Sequence, residues 1–247
     1  MKRRRILQLI GSAGVTGILP RISSVAVLGQ PSLPYTVKGS GPAFITFDGA
    51  LANLDSVTGH YRVIAMDYPP AEILNSQSKA VTDAFTPERV CADILTVADM
   101  AGANSFAYYG YSWGGVVGLQ LATRTNRLSA LVCGGWPPLG APYNDMPNAT
   151  GQSIFTTFYR SIQHWPEREA VSRIACPRLA FAGRDDVINA PGVTARIGPL
   201  LAEHREELEQ MGWTVRLMDG FAHSLGASRD VIVPLIREFL DPLLLHG

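Results

Sequence analysis

A serine, an aspartate and a histidine, in that order along the chain, are the residues whose types could do covalent chemistry. The serine is Ser112 in Gly110-Tyr111-Ser112-Trp113-Gly114, and Asp186 and His223 follow it. A serine hydroxyl is a poor nucleophile at neutral pH, so a histidine must accept its proton and a carboxylate must orient that histidine. The order therefore predicts a nucleophilic serine with an acid–base partner.

The pentapeptide has the form Gly-x-Ser-x-Gly, which by itself fits an ordinary glycine-rich turn as well as a nucleophile. An aromatic run at 105–109 precedes it, and an apolar run at 115–122 follows. The first run favours a buried strand and the second a packed helix. Because a sharp strand-to-helix turn exposes its serine at the top of a sheet, this context predicts a nucleophile elbow. We expect both glycines where a Cβ would collide with the neighbouring strand or helix.

The remaining strands and helices are predicted from runs of apolar residues and from the spacing between apolar residues. Strands are predicted at 24–28, 33–37, 43–47, 61–67, 128–133, 178–182 and 214–218, the first two forming a hairpin across 29–32. Helices are predicted after Thr86-Pro87 and at 154–162, 199–211 and 229–240. Continuous apolar strands separated by helices indicate a mostly parallel sheet covered on both faces. We therefore expect one α/β domain over 24–247, with a short lid at about 139–174.

Four motifs, each at the start or end of a predicted strand, carry a family resemblance. They are Gly39-Ser40-Gly41-Pro42, Gly110-Tyr111-Ser112-Trp113-Gly114-Gly115, Gly183-Arg184-Asp185-Asp186 and Phe221-Ala222-His223-Ser224. Together they resemble the α/β-hydrolase superfamily over nearly all of the chain beyond residue 24, and the Gly-x-Ser-Trp-Gly form is similar to that of some esterases and proline iminopeptidases. The resemblance implies a single-domain α/β-hydrolase fold with Ser112 as nucleophile and His223 as base. Its Gly-x-x-Asp pattern selects Asp186 as the acid, with Asp185 as the adjacent alternative.

An oxyanion hole needs two donors aimed at the developing negative charge. The elbow geometry supplies the backbone N–H of Trp113, and the resemblance places the second at the backbone N–H of Ala50. The sequence departs from the family here, because Asp48 stands where a histidine usually precedes Gly49. A carboxylate beside an oxyanion opposes catalysis unless it is turned away or hydrogen-bonded. The alternative role for Asp48 is to organise its loop by accepting local N–H bonds.

Aromatic residues near strand ends and in the expected lid predict an apolar pocket for an acyl or alcohol group. About half of such residues are expected to be core instead. The candidates for the pocket, with Asp48 at its edge, are Tyr111, Trp113, Trp136, Phe155, Phe158, Tyr159 and Phe221.

These features predict a serine hydrolase that cleaves a small, largely apolar ester, thioester or lactone and needs no metal or organic cofactor. One alternative is a proline-iminopeptidase-like or carbon–carbon bond hydrolase. An aminopeptidase would need acidic groups for the substrate amine, and the lid offers Asp145, Glu167 and Glu169. Since a fold does not fix a function, the other alternative is a ligand-binding protein that retains the three residues without useful turnover.

Charge and cysteine usage narrow the function classes. Lys plus Arg equals Asp plus Glu, 21 of each, so nothing favours nucleic acid or an anionic membrane as a partner, and a small molecule is expected. Cys91, Cys133 and Cys176 lie far apart, without histidines at ligand spacing, and predict buried free thiols rather than disulfides or a zinc site. The oligomeric state is left open.

The first 23 residues differ from the rest. Lys2-Arg3-Arg4-Arg5 precedes a short, moderately apolar run, which is similar to an export signal of the twin-arginine type. The run is too short and glycine-rich for a membrane span. The nearest small-x-small site, Ser24-Val25-Ala26, falls inside the first predicted strand. A retained N-terminal extension of a cytoplasmic protein is therefore the alternative to export.

Overall fold

Eight strands form one sheet in the computed structural model, which describes residues 21–23, 33–150 and 153–245. A separate two-stranded hairpin, β8–β9, follows β7. The strands are β1 (Arg21–Ser23), β2 (Tyr35–Lys38), β3 (Ala43–Thr46), β4 (Arg62–Met66), β5 (Phe106–Tyr111), β6 (Leu128–Gly134), β7 (Arg178–Gly183), β8 (Ile188–Ala190), β9 (Val193–Ala195) and β10 (Trp213–Met218).

The order across the large sheet is β1-β2-β4-β3-β5-β6-β7-β10. Every pair from β4 to β10 is parallel, whereas β2 runs antiparallel to both β1 and β4. This confirms the prediction of a mostly parallel sheet. Because parallel strands end at one edge, the loops after β3, β5, β7 and β10 meet there, where α/β sheets bind ligands.

Helices cover both faces of the sheet. They are α1 (Asp55–Thr58), α2 (Ala71–Leu74), α3 (Lys79–Asp83), α4 (Pro87–Met100), α5 (Trp113–Ala122), α6 (Met146–Ala149), α7 (Ile154–Ser161), α8 (Glu167–Ser172), α9 (Ile197–Glu203), α10 (Arg205–Gln210) and α11 (Arg229–Leu244), with 3₁₀ turns at Leu51–Asn53 and His223–Ala227. Strand side chains alternate between two cores. Tyr108 packs in the core formed with α4, α5 and α7, whereas Tyr109 packs in the core formed with α1 and α11.

Two predicted elements differ from the structure, and one hairpin in the structure was not predicted. The strand predicted at 24–28 lies outside the described residues, and the partner of β2 is instead β1, inside the segment predicted as an extension. The helix predicted over 199–211 is divided into α9 and α10, because His204 has φ −97° and ψ 10° rather than helical angles. The β8–β9 hairpin was not predicted, although Pro191-Gly192 is a turn signal and Gly192 has φ +78°.

The segment between β6 and β7 carries α6, α7 and α8, and α7 packs against α3. Within the described ranges, none of the helices is both long enough and apolar enough to cross a membrane. Cys91 and Cys133 are buried and Cys176 is half-buried, all three as free thiols. Burial raises the pKa of Cys91 to about 12, which keeps it protonated and unreactive at neutral pH.

Candidate active site

Ser112 occupies a strained turn between β5 and α5. Its φ of 56° and ψ of −121° make it the one non-glycine residue with positive φ in the described part of the chain. Two backbone bonds hold the turn: Ser112 N–H donates to Gly134 O at 2.8 Å, and Gly115 N–H donates to Ser112 O at 2.9 Å. Strain of this kind persists only where the surroundings enforce it, and it is common at reactive residues. The side chain is half-buried at the strand edge.

The two glycines of the pentapeptide do different things. A Cβ built on Gly110 would lie 2.1 Å from Gly114 O, so the close approach of β5 and α5 requires glycine there. A Cβ on Gly114 would lie 3.7 Å from the Phe47 ring, which is ordinary contact. The expectation that both glycines avoid a collision is therefore wrong for Gly114. Gly115, just outside the pattern, is the tighter site, with Gly134 O at 3.0 Å from its Cβ position.

His223 and Asp186 complete a continuous hydrogen-bonded array with Ser112. His223 Nε2 lies 3.0 Å from Ser112 Oγ, and His223 Nδ1 lies 3.1 and 3.0 Å from the two carboxylate oxygens of Asp186. Asp186 is fully buried, whereas the His223 side chain is 32% exposed. Both distances suit proton transfer from the serine and orientation of the imidazole. The adjacent Asp185 is exposed and its side chain takes no part in this array.

The turn that carries His223 is held against the sheet from two sides. A Cβ on Gly183 would lie 2.2 Å from Phe221 O, so the Gly-x-x-Asp glycine lets this turn approach the end of β7. From β5, Tyr111 donates its hydroxyl to His223 O at 3.1 Å, and its ring lies 5.3 Å from the imidazole. Burial and the charge of Asp186 raise the pKa of Tyr111, which therefore stays a donor. Tyr111 supports the His223 turn, a contact not predicted for it.

The two expected oxyanion donors are in different situations. Within the described chain, no residue accepts a hydrogen bond from Trp113 N–H at the start of α5. Ala50 N–H, by contrast, donates to Asp48 Oδ1 at 2.9 Å. Asp48 N–H donates to Thr46 Oγ1 at 3.0 Å, and Asp48 Oδ2 forms an ion pair with Arg229. Asp48 thus accepts a local N–H bond and organises its loop.

Trp113 forms the centre of an aromatic cluster, which we define as Trp113 and the five rings around it. Ring centroids lie 5.1 to 6.4 Å from Trp113, for Phe47, Tyr68, Phe85, Phe155 and Phe158. Phe155 and Phe158 come from α7, so the segment between β6 and β7 contributes to this wall. Phe85 and Phe158 are fully buried, whereas Phe47, Trp113 and Phe155 are half-buried. The half-buried rings are those that could face a ligand.

The other predicted pocket residues lie elsewhere. Trp136 is buried against Tyr143 and Tyr159, and its indole N–H donates to Tyr143 at 3.1 Å. Phe221 packs against the core on the α11 side. Sequence reasoning missed Phe47, Tyr68 and Phe85 in the aromatic cluster. Phe47 directly follows β3 and Tyr68 lies two residues after β4, and this position near a strand end is the signal that could have found them.

Metal ligation has no support in the described residues. No group of three or more His, Cys, Asp or Glu side chains among them is placed to hold a metal ion.

The chain is similar in structure to several proteins whose sequences are less than 20% identical to it. No protein-family model matches the chain, and no curated protein matches it. An E-2-(acetamidomethylene)succinate hydrolase superposes with a TM-score of 0.65 at 14% identity, covering 90% of this chain and 100% of its own. Epoxide hydrolase A from Mycobacterium thermoresistibile gives 0.65 at 17% identity, covering 90% and 98%. The enol-lactonase from Burkholderia xenovorans LB400 gives 0.63 at 18% identity, covering 88% and 99%.

Proposed function

We propose that this chain, which has the α/β-hydrolase fold, is a serine hydrolase acting on a small, largely apolar carboxylic ester, thioester or lactone. The fold is the one that the family resemblance in the sequence predicted. The observation that carries the proposal is the distance of 3.0 Å between Ser112 Oγ and His223 Nε2, with buried Asp186 on the other imidazole nitrogen. Reaction chemistry is assigned from this site and not from the fold.

The reaction proceeds through an acyl-enzyme. Ser112 Oγ attacks the substrate carbonyl carbon while His223 Nε2 takes the hydroxyl proton. The carbonyl oxygen becomes an oxyanion, which accepts a hydrogen bond from Trp113 N–H. His223 then returns the proton to the leaving alcohol or thiol as the bond to it breaks. Water repeats the sequence on the acyl-enzyme: His223 takes its proton, the hydroxyl adds to the carbonyl carbon, and Ser112 leaves with the proton restored.

Asp186 keeps the imidazole in the required tautomer and stabilises the imidazolium formed in each step. It is fully buried and bonded to His223 Nδ1 through both oxygens, so its charge is screened little by solvent.

The aromatic cluster supports an apolar substrate. Trp113, which follows the nucleophile, and its neighbours Phe47 and Phe155 are half-buried rings. Apolar and aromatic surfaces with few polar groups are typical of small-molecule sites. One structural neighbour is an enol-lactonase, which supports a lactone as one of the candidate substrates.

The test is hydrolysis of short-chain p-nitrophenyl esters by the wild-type protein and by Ser112→Ala. Loss of the triad nucleophile reduces kcat by about 10⁴-fold or more, and a fluorophosphonate probe is expected to label wild-type Ser112 only. Ser129→Ala, a half-buried serine in β6, is the matched control and should behave like wild type. Ester hydrolysis that survives Ser112→Ala would contradict the proposal.

Aminopeptidase activity is less well supported than ester hydrolysis, because two of the acidic residues considered for binding a substrate amine are already engaged. Glu167 accepts the backbone N–H groups of Gly140 and Ala141 at 2.7 and 3.3 Å. Glu169 is exposed and forms an ion pair with Arg173. Both carboxylates therefore have partners other than a substrate amine.

A ligand-binding protein without turnover is the second candidate, favoured by the bond from Ala50 N–H to Asp48. An oxyanion hole with one donor engaged is weaker than one with two free donors. Labelling of the folded protein separates the candidates, because a binder would leave Ser112 unmodified by the fluorophosphonate.

A further inference from the structure

We propose that Arg229 and Asp48 form a clamp that positions the oxyanion loop and the His223 turn relative to each other, and that Arg229 neutralises Asp48 during the reaction. Both act as positioning residues. The inference rests on the proposed function, since it concerns the same site.

Arg229 contacts both loops with one guanidinium group. Its Nη2 forms an ion pair with Asp48 Oδ2, and its Nη1 donates to Gly226 O. Gly226 belongs to the 3₁₀ turn that begins at His223. Arg229 is the first residue of α11, so a rigid helix fixes where the guanidinium lies.

The second half of the clamp is the other carboxylate oxygen. Asp48 Oδ1 accepts the N–H of Ala50 at 2.9 Å, and Ala50 is the residue expected to supply the second oxyanion donor. A negative charge one hydrogen bond away from that donor disfavours an oxyanion. The guanidinium on Oδ2 offsets this charge, because a partly buried ion pair is screened less than a surface pair.

The Arg229–Asp48 pair is partly buried, so solvent screens its charges less than those of an exposed pair. Asp48 is 19% exposed and Arg229 30% exposed. The charges of Asp48 and Arg229 also act on Tyr109, which is 1% exposed and whose hydroxyl has no hydrogen-bond partner in the described part of the chain. No described side chain other than Arg229 forms an ion pair with Asp48. Removing Arg229 therefore leaves a carboxylate uncompensated in a poorly solvated place, the costly case for ion pairs.

The experiment compares Arg229→Met, Asp48→Asn, the double variant and Arg229→Lys in ester hydrolysis. Arg229→Met is expected to lower kcat by about 10- to 100-fold, with KM within about twofold, because the charge opposes the transition state rather than substrate binding. Asp48→Asn keeps an oxygen for Ala50 N–H and leaves no uncompensated carboxylate, but it loses the ion pair, so kcat should fall by less than in Arg229→Met. The double variant should recover only to the level of Asp48→Asn, because both lack the ion pair and neither leaves a carboxylate uncompensated. Arg229→Lys should fall between wild type and Arg229→Met.

Arg237→Met is the matched control. Arg237 lies on the same helix, is 29% exposed and pairs with Asp241, which is 21% exposed, but it contacts neither loop. It should leave kcat unchanged. Thermal unfolding of every variant shows whether a loss of rate reflects unfolding instead.

A second readout does not depend on turnover. Arg229→Met is expected to shift the NMR signals of the Ala50 amide and the His223 imidazole, whereas Arg237→Met is expected to shift neither. A wild type that hydrolyses no ester and takes no label contradicts the proposed function, while these shifts still decide on the clamp. The clamp would be overturned if Arg229→Met left both NMR signals unchanged. It would also be overturned if adding Asp48→Asn to Arg229→Met restored none of the lost rate.

Discussion

At the scale of single residues, the site depends on one strained serine and one close approach of backbone. Ser112 has positive φ, and the turn around it is possible because Gly110 has no side chain. A Cβ at that position would lie 2.1 Å from Gly114 O, an atom of the backbone that cannot move aside without shifting α5. The geometry of the proposed nucleophile thus depends on a neighbouring glycine that has no proposed catalytic role.

Gly110→Ala and Gly114→Ala are expected to have opposite outcomes. Gly110→Ala forces β5 and α5 apart and should destabilise the protein by about 1–3 kcal/mol and slow labelling of Ser112. Gly114→Ala adds a methyl group in ordinary contact within α5 and should change stability by less than about 1 kcal/mol, in the stabilising direction. Urea denaturation and the fluorophosphonate labelling rate measure both effects. Equal losses in the two variants would show that this difference between the glycines is wrong.

At the scale of elements, α8 anchors the segment that follows β6. Glu167, at its first position, accepts the backbone N–H groups of Gly140 and Ala141. Burial raises the pKa of Glu167 from 4.5 to about 7, although the two N–H donors oppose the rise. The carboxyl group therefore changes charge near neutral pH while it holds the segment that contains the α7 aromatics.

Glu167 makes stability depend on pH. Because its folded pKa is raised, the folded state binds more protons than the unfolded state between pH 4.5 and about 7. Its stabilising contribution is complete below the unfolded pKa and is lost as the pH rises through the folded pKa. We expect Tm to fall more between pH 5 and 8 in wild type than in Glu167→Gln.

The control for this comparison is Glu209→Gln, whose carboxylate is 44% exposed and pairs with Arg205. It should keep the wild-type pH dependence. If Glu167→Gln and wild type lose the same Tm between the two pH values, Glu167 does not titrate as proposed.

At the scale of the whole molecule, the candidate catalytic residues lie far from the edge strand β1 of the sheet. Among the described strands β1 pairs with β2 alone, whereas Ser112, Asp186 and His223 follow β5, β7 and β10 on the far side of β3 and β4. Residues 1–23 are proposed as an export signal or an N-terminal extension, yet Arg21–Ser23 is a strand of the sheet. Cleavage at Ser24-Val25-Ala26 would remove that strand and leave β2 as an edge.

A variant that begins at Ser24 tests this arrangement. Loss of β1 removes backbone hydrogen bonds to β2 and should lower Tm, whereas Ser112 labelling should stay within about twofold because distant sites act independently. N-terminal sequencing of the natural protein then decides whether processing occurs. Unchanged Tm in the variant would mean that β1 does not contribute to the sheet.

Individual elements and residues show which features could be predicted from the sequence. The apolar runs at β3 to β7 and β10 were predicted within about two residues, since β3 to β7 are almost entirely buried and β10 has a buried apolar face. The break at His204 and the β8–β9 hairpin were not, because a short irregular segment has no period to detect. Trp136 was assigned to the pocket by its place after β6, but its neighbours Tyr143 and Tyr159 hold it in the core.

The sequence by itself determined the fold class and the choice of Ser112, Asp186 and His223, because glycine-bounded turns at strand ends are local patterns and a parallel sheet brings strand ends together. Only the tertiary structure decided that Arg229 reaches Asp48 from α11 and that Phe47 and Phe155 pack on Trp113. Those contacts depend on the direction and reach of side chains from elements far apart in sequence, which no local period encodes.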